Sequence, residues 1–211
     1  MRIRILKLCS LGLDDGFFEF EDKDNHSETA LVGVVTSESS EVLDVIVNTI
    51  KVDGLDGTAR AIHIIEKAKN LYDSRLEVVF LDGVTYAGFN IVDPVKINEL
   101  LGVPVVVVFR HALNLQKIRT ALKLHFVDWR YRYRIIERVY SRAFTVSSPV
   151  RGVTIKIAAV GVDVKCGSAL FLKYGSVYPE PYPLRIADRI ASALGRMVRN
   201  HIMVSIAGTY L

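Results

Sequence analysis

Cysteine is nearly absent: Cys9 and Cys166 are the only two in 211 residues, and neither belongs to a C-x-x-C pair or a Cys/His cluster. This excludes a structural zinc site and a disulfide framework and points to a reducing compartment. The five histidines (His26, His63, His111, His125 and His201) are scattered, with no H-x-H or H-x-x-x-H spacing. There is no Gly-x-x-x-x-Gly-Lys phosphate loop and no Gly-x-Ser-x-Gly nucleophile elbow. No apolar run approaches the ~20 residues that a membrane span requires. The start, from Met1 to Leu8, alternates basic and apolar residues as a strand does, unlike the continuous apolar core of a signal peptide. No repeat, low-complexity tract or Pro/Gly/Ser linker divides the chain. The expectation is a soluble, cytoplasmic protein with residues 1–211 in a single domain.

Half of the residues are apolar and 24% are charged, the composition of an ordinary globular protein. The net charge is only +4, but it is unevenly spread: Asp14 to Asp24 is acidic, whereas Arg110 to Arg151 is rich in arginine. A local basic stripe of this kind admits a polyanionic partner.

Glu28–Thr36 and Val42–Val52 are β-branched runs joined by Ser37-Glu38-Ser39-Ser40, a hairpin pattern. Asp56 or Thr58 can cap a helix with Ala61, Ile62, Ile65, Ala68 and Leu71 on its apolar face. Leu76–Leu81 is a buried strand, Asp93–Leu101 a short helix closed by Gly102, and Val103–Phe109 an all-apolar strand suited to a sheet covered on both faces. Asn114 precedes a helix, and Arg130–Arg142 forms another. Thr154–Val162 is strand-like, Lys165–Leu172 helical, and a proline turn from Tyr178 to Pro183 leads into a final helix from about Leu184 to Met203. The order predicts an α/β sheet with a meander of three strands followed by strands entered through right-handed crossovers.

Three acidic triplets stand out: Leu13-Asp14-Asp15, Leu55-Asp56-Gly57 and Leu81-Asp82-Gly83. Asp and Gly after a strand are ordinary turn residues, and Asp56 is an ordinary helix cap. Topology favours more than that. The first strand and the strand after the crossover helix are natural neighbours in a parallel sheet, so Asp14 and Asp82 emerge side by side, with Asp56 supplied by the helix start. Carboxylates this close repel unless a cation binds. An all-oxygen set suits Mg²⁺ or Mn²⁺ and phosphodiester chemistry. Asp14 and Asp15 point to opposite faces, so one of the two is the inward ligand. Asp163, before the fifth helix, is a fourth candidate ligand or a simple N-cap.

Trp129-Arg130-Tyr131-Arg132-Tyr133-Arg134 continues into Arg138 and Arg142. On a helix Arg130, Arg134, Arg138 and Arg142 fall four apart and form one cationic stripe opposite Ile135 and Val139. Such a stripe can follow a phosphate backbone while Tyr131 or Tyr133 stacks on a base, or it can be a solvated face paired with acids such as Glu137. The Arg/Asp mixture of the final helix reads as structural.

Gly12-Leu13-Asp14, Asp56-Gly57, Leu81-Asp82-Gly83, Leu101-Gly102-Val103-Pro104, Pro179-Glu180-Pro181 and the segment Arg185 to Ala191 occur in the order in which similar motifs occur in endonuclease V. Asp14-Asp15-Gly16, Asp53-Gly54-Leu55-Asp56 and Gly88 to Asp93 resemble still more closely its archaeal relatives of unknown function (domain of unknown function 99). The resemblance covers nearly the whole chain. It implies an RNase-H-like fold: a mixed five-stranded sheet with the antiparallel hairpin at one edge and helices on both faces. It also implies Mg²⁺-dependent cutting of DNA or RNA near deaminated purines. Asp14, Asp56 and Asp82 match that family's acids, and Arg110 falls where it keeps a lysine, in position to hold a phosphate. The chain departs from endonuclease V at its Pro-Tyr-Ile-Pro wedge, where Val52-Asp53-Gly54-Leu55 stands. It departs again at the base-pocketing loop, replaced by Val84 to Asn90, and at the late Gly-His motif, replaced by Gly161-Val162-Asp163.

The expected function is therefore a divalent-metal nuclease with Asp14, Asp56 and Asp82 as ligands, Arg110 against the developing charge, and Asp163 or His111 assisting proton transfer. The alternatives are a non-catalytic nucleic-acid-binding protein that keeps the fold, and a phosphatase acting on a small nucleotide.

Overall fold

A computed structural model describes residues 8–19, 27–148, 152–175 and 179–208, with the main chain alone at 74 and 198–208. The alternating start through Lys7, the acids from 20 to 24, His26 and Tyr178 lie outside these residues, as do the side chains of Arg199, His201 and Met203.

Strand β1 (Cys9–Asp15) precedes the two β-branched runs, which form β2 (Glu28–Ser37) and β3 (Val42–Lys51), followed by helix α1 (Gly57–Tyr72) and strand β4 (Leu76–Asp82). A small hairpin, β5 (Thr85–Tyr86) and β6 (Asn90–Ile91), precedes α2 (Pro94–Leu101) and β7 (Val105–Phe109). Then come α3 (Leu115–His125), α4 (Trp129–Tyr140), β8 (Phe144–Ser147), β9 (Thr154–Val160), α5 (Val164–Tyr174) and α6 (Tyr182–Gly208). Local chemistry accounts for several boundaries. Asp93 and Asn114 accept the first free amides of α2 and α3, from Val95 and Lys117, and Gly102 closes α2 in the left-handed conformation (φ 64°).

The main sheet has seven strands in the order β3-β2-β1-β4-β7-β9-β8. β1, β4 and β7 are parallel neighbours, and the β2–β3 hairpin adds to β1 in antiparallel fashion. These are five strands, as the resemblance implied, but the sheet does not stop there. β9 pairs with β7 antiparallel, so no crossover in the manner of β4 and β7 brings it in, and β8 completes the edge. β8 escaped the sequence reading because four residues are too few to display a period.

Alternation along the strands assigns the two faces. Leu11, Leu13, Val79, Leu81, Val105 and Val107 pack with Ile64 and Ile65 of α1, Ile97 of α2 and Ile135 of α4. The opposite set, Val78, Phe80, Val106 and Val108, packs with Phe171 of α5 and Leu184 of α6, while Ala30, Val32 and Val34 of β2 meet Ala187 and Ala191 of α6. α6 lies close on β1 because residue 12 is glycine: a Cβ there would stand 2.3 Å from the backbone at Pro183 and Leu184. Among the described residues no helix is long and apolar enough to cross a membrane.

Candidate functional site

Because β1, β4 and β7 run in the same direction, their C-terminal ends meet at one end of the sheet. Asp14 is next to last on β1, Asp82 last on β4, and Arg110 the first residue past β7. All three continue the alternation of the face covered by α6. Asp188, two turns into that helix, completes a constellation around one guanidinium. Arg110 Nε lies 3.1 Å from Asp82 Oδ2, Nη2 3.7 Å from Asp14 Oδ2, and Nη1 3.7 Å from Asp188 Oδ2. The carboxylate of the pair that turns toward this cluster is thus Asp14, which is 7% exposed. Asp15 turns to the other face, where its Oδ2 accepts the Ala87 amide at 2.8 Å.

The electrostatics are those of crowded, poorly hydrated carboxylates. Burial, then the charges of Asp82 and Asp15, push Asp14 well above the usual carboxylate range, against the opposing pull of Arg110. Burial raises Asp82 as well. Arg110 opposes that rise, while Asp188 and Glu180 add to it. Burial also lifts Asp15, to about 7. One guanidinium therefore under-compensates a cluster that favours further positive charge. The donors are all carboxylate oxygens, the chemistry of Mg²⁺ and Mn²⁺, although with Arg110 between them they are not placed to hold an ion, and among the described residues no group of three or more His, Cys, Asp or Glu is. Beside the cluster opens a cleft of about 330 Å³, lined by Asp82, Gly83, Thr85, Phe109, Arg110 and His111 among others.

Asp56 does not join this cluster. It is at the same end of the sheet, but its carboxylate is held by Asn90 Nδ2 (2.7 Å) and Arg60 Nε (3.2 Å). Nor does it cap α1 with its side chain. That task falls to Asn90, whose Oδ1 accepts the Gly57 amide at 2.8 Å. The turn from Ala87 to Asn90 stands between the two groups of acids. Asp53 Oδ1 accepts from Phe89 N at 2.7 Å, and Ala87 and Gly88 both take positive φ (42° and 88°). A side chain at residue 88 would collide with the Asp53 carboxylate, so glycine is required there on two counts.

Asp163 is displaced further. β9 is antiparallel to β7, with Val160 opposite Val105, so its C-terminal end lies at the far end of the sheet from Asp82 and Arg110. There Asp163 caps α5 through the Cys166 amide at 2.8 Å. This corrects its assignment as a metal ligand.

The arginine stripe divides. Arg130, Tyr131, Arg134 and Arg142 are exposed, Arg142 just beyond the end of α4. Arg138 is instead clamped to both oxygens of Asp93 at 2.8 and 2.9 Å. Arg132, which the four-residue spacing passes over, is buried against Asp128 and donates to the carbonyls of Gly54 and Phe89. It fastens α4 to the loops beside the acids. The stripe is extended from α3 by Arg119 and Lys123, which with Arg130 lie over the Trp129 ring at 5.9, 4.9 and 4.8 Å.

Two site residues were missed in the sequence: Asp188 and Glu180, the latter acting on Asp82 through its charge. Both lie in the Pro179–Ala191 stretch that carried the resemblance. The signal was present, but an Arg/Asp mixture on a helix is the usual sign of surface ion pairing.

Comparison with known proteins bears on the family and the fold. The sequence model of the endonuclease dU family matches residues 7–195. A UPF0215 protein of Thermococcus gammatolerans is 37% identical over 184 residues, covering 87% of this chain and 90% of its own. The crystal structure of a protein of unknown function from Archaeoglobus fulgidus superimposes with a TM-score of 0.73 at 26% identity, covering 89% of this chain and 98% of that one. Ciona intestinalis endonuclease V, solved with DNA containing an inosine, aligns with a TM-score of 0.57 at 14% identity over 93% of this chain and 87% of its own, a likeness of fold. The sheet with helices on both faces is RNase-H-like.

Proposed function

Since this chain belongs to the endonuclease dU family, an archaeal group related to endonuclease V, we propose that it is a divalent-metal-dependent nuclease hydrolysing phosphodiester bonds in DNA or RNA. The observation that carries this reading is the convergence of Asp14, Asp82 and Asp188 on a single guanidinium at the common end of three parallel strands. Asp14, Asp82 and Asp188 would hold Mg²⁺ or Mn²⁺. When bound, the ion supplies Lewis-acid polarisation of the phosphoryl group and stabilises the oxygen that leaves.

The residues of the chain account for the rest. The Arg110 fork faces the carboxylates and the cleft alike, and is suited to grip a phosphate oxygen as charge builds on phosphorus. His111, on the cleft wall beside Asp82, is the candidate to pass a proton to or from solvent. The exposed Arg130, Arg134 and Arg142, with Tyr131, form the surface for the flanking strand. Asp56 and Asp163 have no part in this proposal, because their carboxylates are engaged elsewhere. Uncombined thiols fit a reducing, cytoplasmic location.

The test is cleavage of labelled single- and double-stranded DNA and RNA, unmodified or carrying deoxyuridine or inosine, with Mg²⁺, Mn²⁺ or EDTA, beside Asp82→Asn. Metal-dependent cutting lost in the variant supports the proposal. One observation favours a second reading, a nucleic-acid-binding protein without catalysis: Arg110 already occupies the space among the acids as their counter-ion. Salt-sensitive binding with no cutting of any substrate would select that reading.

A further inference from the structure

The β1–β4 ladder ends in an unusual rung. Its last Cα pair is Leu13 with Leu81. In a parallel pair the next hydrogen bond would run from the Asp82 amide directly to the Leu13 carbonyl. A side chain stands there instead. The Asp82 amide donates to the Tyr86 hydroxyl at 2.9 Å, and that hydroxyl donates to the Leu13 carbonyl at 3.0 Å. Tyr86 is fully buried. Its position is set by the clamp that follows it, in which Asp15 holds the Ala87 amide and the Asp53 amide donates to the Ala87 carbonyl at 2.8 Å.

A single hydroxyl is thus spliced into the ladder between the residues from which Asp14 and Asp82 emerge. We propose that Tyr86 is a positioning residue: its hydroxyl separates the ends of β1 and β4 by one oxygen and so sets the spacing of the Asp14 and Asp82 carboxylates. Without it the two strands close by a direct rung, or admit water, and the carboxylates lose their separation. The inference builds on the proposed metal site, but the splice itself stands on the hydrogen bonds alone.

The variant is Tyr86→Phe in the full chain, beside Tyr174→Phe, which removes another buried tyrosine hydroxyl, the one donating to Glu77 at 2.6 Å. Mn²⁺ affinity is read by electron paramagnetic resonance without substrate, and the Arg110 Nε–H signal by NMR in EDTA. Tyr86→Phe is expected to weaken Mn²⁺ binding by about tenfold or more, and Tyr174→Phe by less than about twofold. In any cleavage assay kcat falls in Tyr86→Phe while KM holds. Equal Mn²⁺ affinity in wild type and Tyr86→Phe overturns the proposal. If the wild type binds no Mn²⁺, the nuclease reading fails and the Arg110 signal decides instead: a shifted or rapidly exchanging Nε–H in Tyr86→Phe upholds the splice, and an unchanged one overturns it. Should Tyr86→Phe not fold, amide exchange in the wild type decides. An Asp82 amide as protected as its neighbour Leu81 upholds the buried hydroxyl contact, and a freely exchanging one refutes it.

Discussion

Asp188 Oδ2 lies 3.7 Å from Arg110 Nη1, joining a helix that begins at residue 182 to a strand that ends at residue 109. The contact makes α6 part of the candidate active site as well as a cover for the sheet. Asp188→Asn is accordingly expected to lower cleavage on the scale of Asp82→Asn, by about a hundredfold or more, with little change in Tm. Asp163→Ala should leave the rate intact and cost about 1 kcal/mol of stability as a lost cap. Rate and thermal melts of the three variants decide this; an Asp188→Asn enzyme as fast as wild type removes α6 from the chemistry.

Arg110 is the shared counter-ion of three acids, so Arg110→Gln leaves their repulsion uncompensated. In EDTA the variant is expected to lose about 1–3 kcal/mol of stability, and Mn²⁺ should raise its Tm by more than it raises that of wild type. Melting curves with and without Mn²⁺ check both statements. An unchanged Tm in EDTA would mean that the ion pairs contribute nothing.

The pH dependence has a definite sign. Burial raises the Asp15 carboxyl to about 7 in the folded protein, whereas an unfolded aspartate titrates near 3.9. Between those values the native state keeps a proton that the unfolded chain has released. Stability in EDTA should therefore be greatest toward the acid side of this window and decline as pH rises through about 7. Asp14 and Asp82 shift in the same direction and add to the slope. Urea melts at pH 5, 6, 7 and 8 should show the decline, and Asp15→Asn should flatten it. Parallel curves for the two proteins would contradict the assignment.

The two thiols should differ in reactivity. Cys9 is fully buried and burial raises it to about 11, while Cys166 is exposed. A chromogenic disulfide reagent at pH 8 should titrate one thiol rapidly in the native protein and the second only on denaturation. Cys166→Ser should abolish the fast phase.

The arginines of α4 are predicted to separate by role. Replacing Arg130, Arg134 and Arg142 together with alanine should weaken binding to any oligonucleotide and reduce the magnitude of the log K against log salt slope by about 2–3. Arg138→Ala should lower Tm, because Asp93, the cap of α2, loses its bidentate partner. Salt titrations of affinity would tell these apart, and a triple variant with wild-type slope would remove the stripe from the interface.

Much of the fold was legible because its signals are local. Runs such as Glu28–Thr36 and Val103–Phe109 are rich in β-branched residues, and the helices around Ile65 and Ile135 carry a spaced apolar face, so strand and helix follow from side-chain sterics and period, although in α1 Ile64 is buried and Leu71 is exposed. The parallel adjacency of β1 and β4, which brings Asp14 beside Asp82, followed from connection rules.

What the sequence by itself determined was therefore the order of the longer elements, the alternation of side chains along each strand, and the pairing of Asp14 or Asp15 with Asp82. The tertiary structure alone decided which other carboxylates meet them. Asp56, Asp163 and Asp188 are all acids near helix starts or on a helix, and nothing in their local sequence distinguishes them. Their fates depend on contacts between residues far apart in the chain. Asn90 and Arg60 hold Asp56, the antiparallel entry of β9 carries Asp163 to the opposite end of the sheet, and the close approach of α6 at Gly12 brings Asp188 to Arg110. Local pattern expresses the preferences of neighbouring residues, whereas the position of a charge in space is set by strand direction and by the packing of helix on sheet.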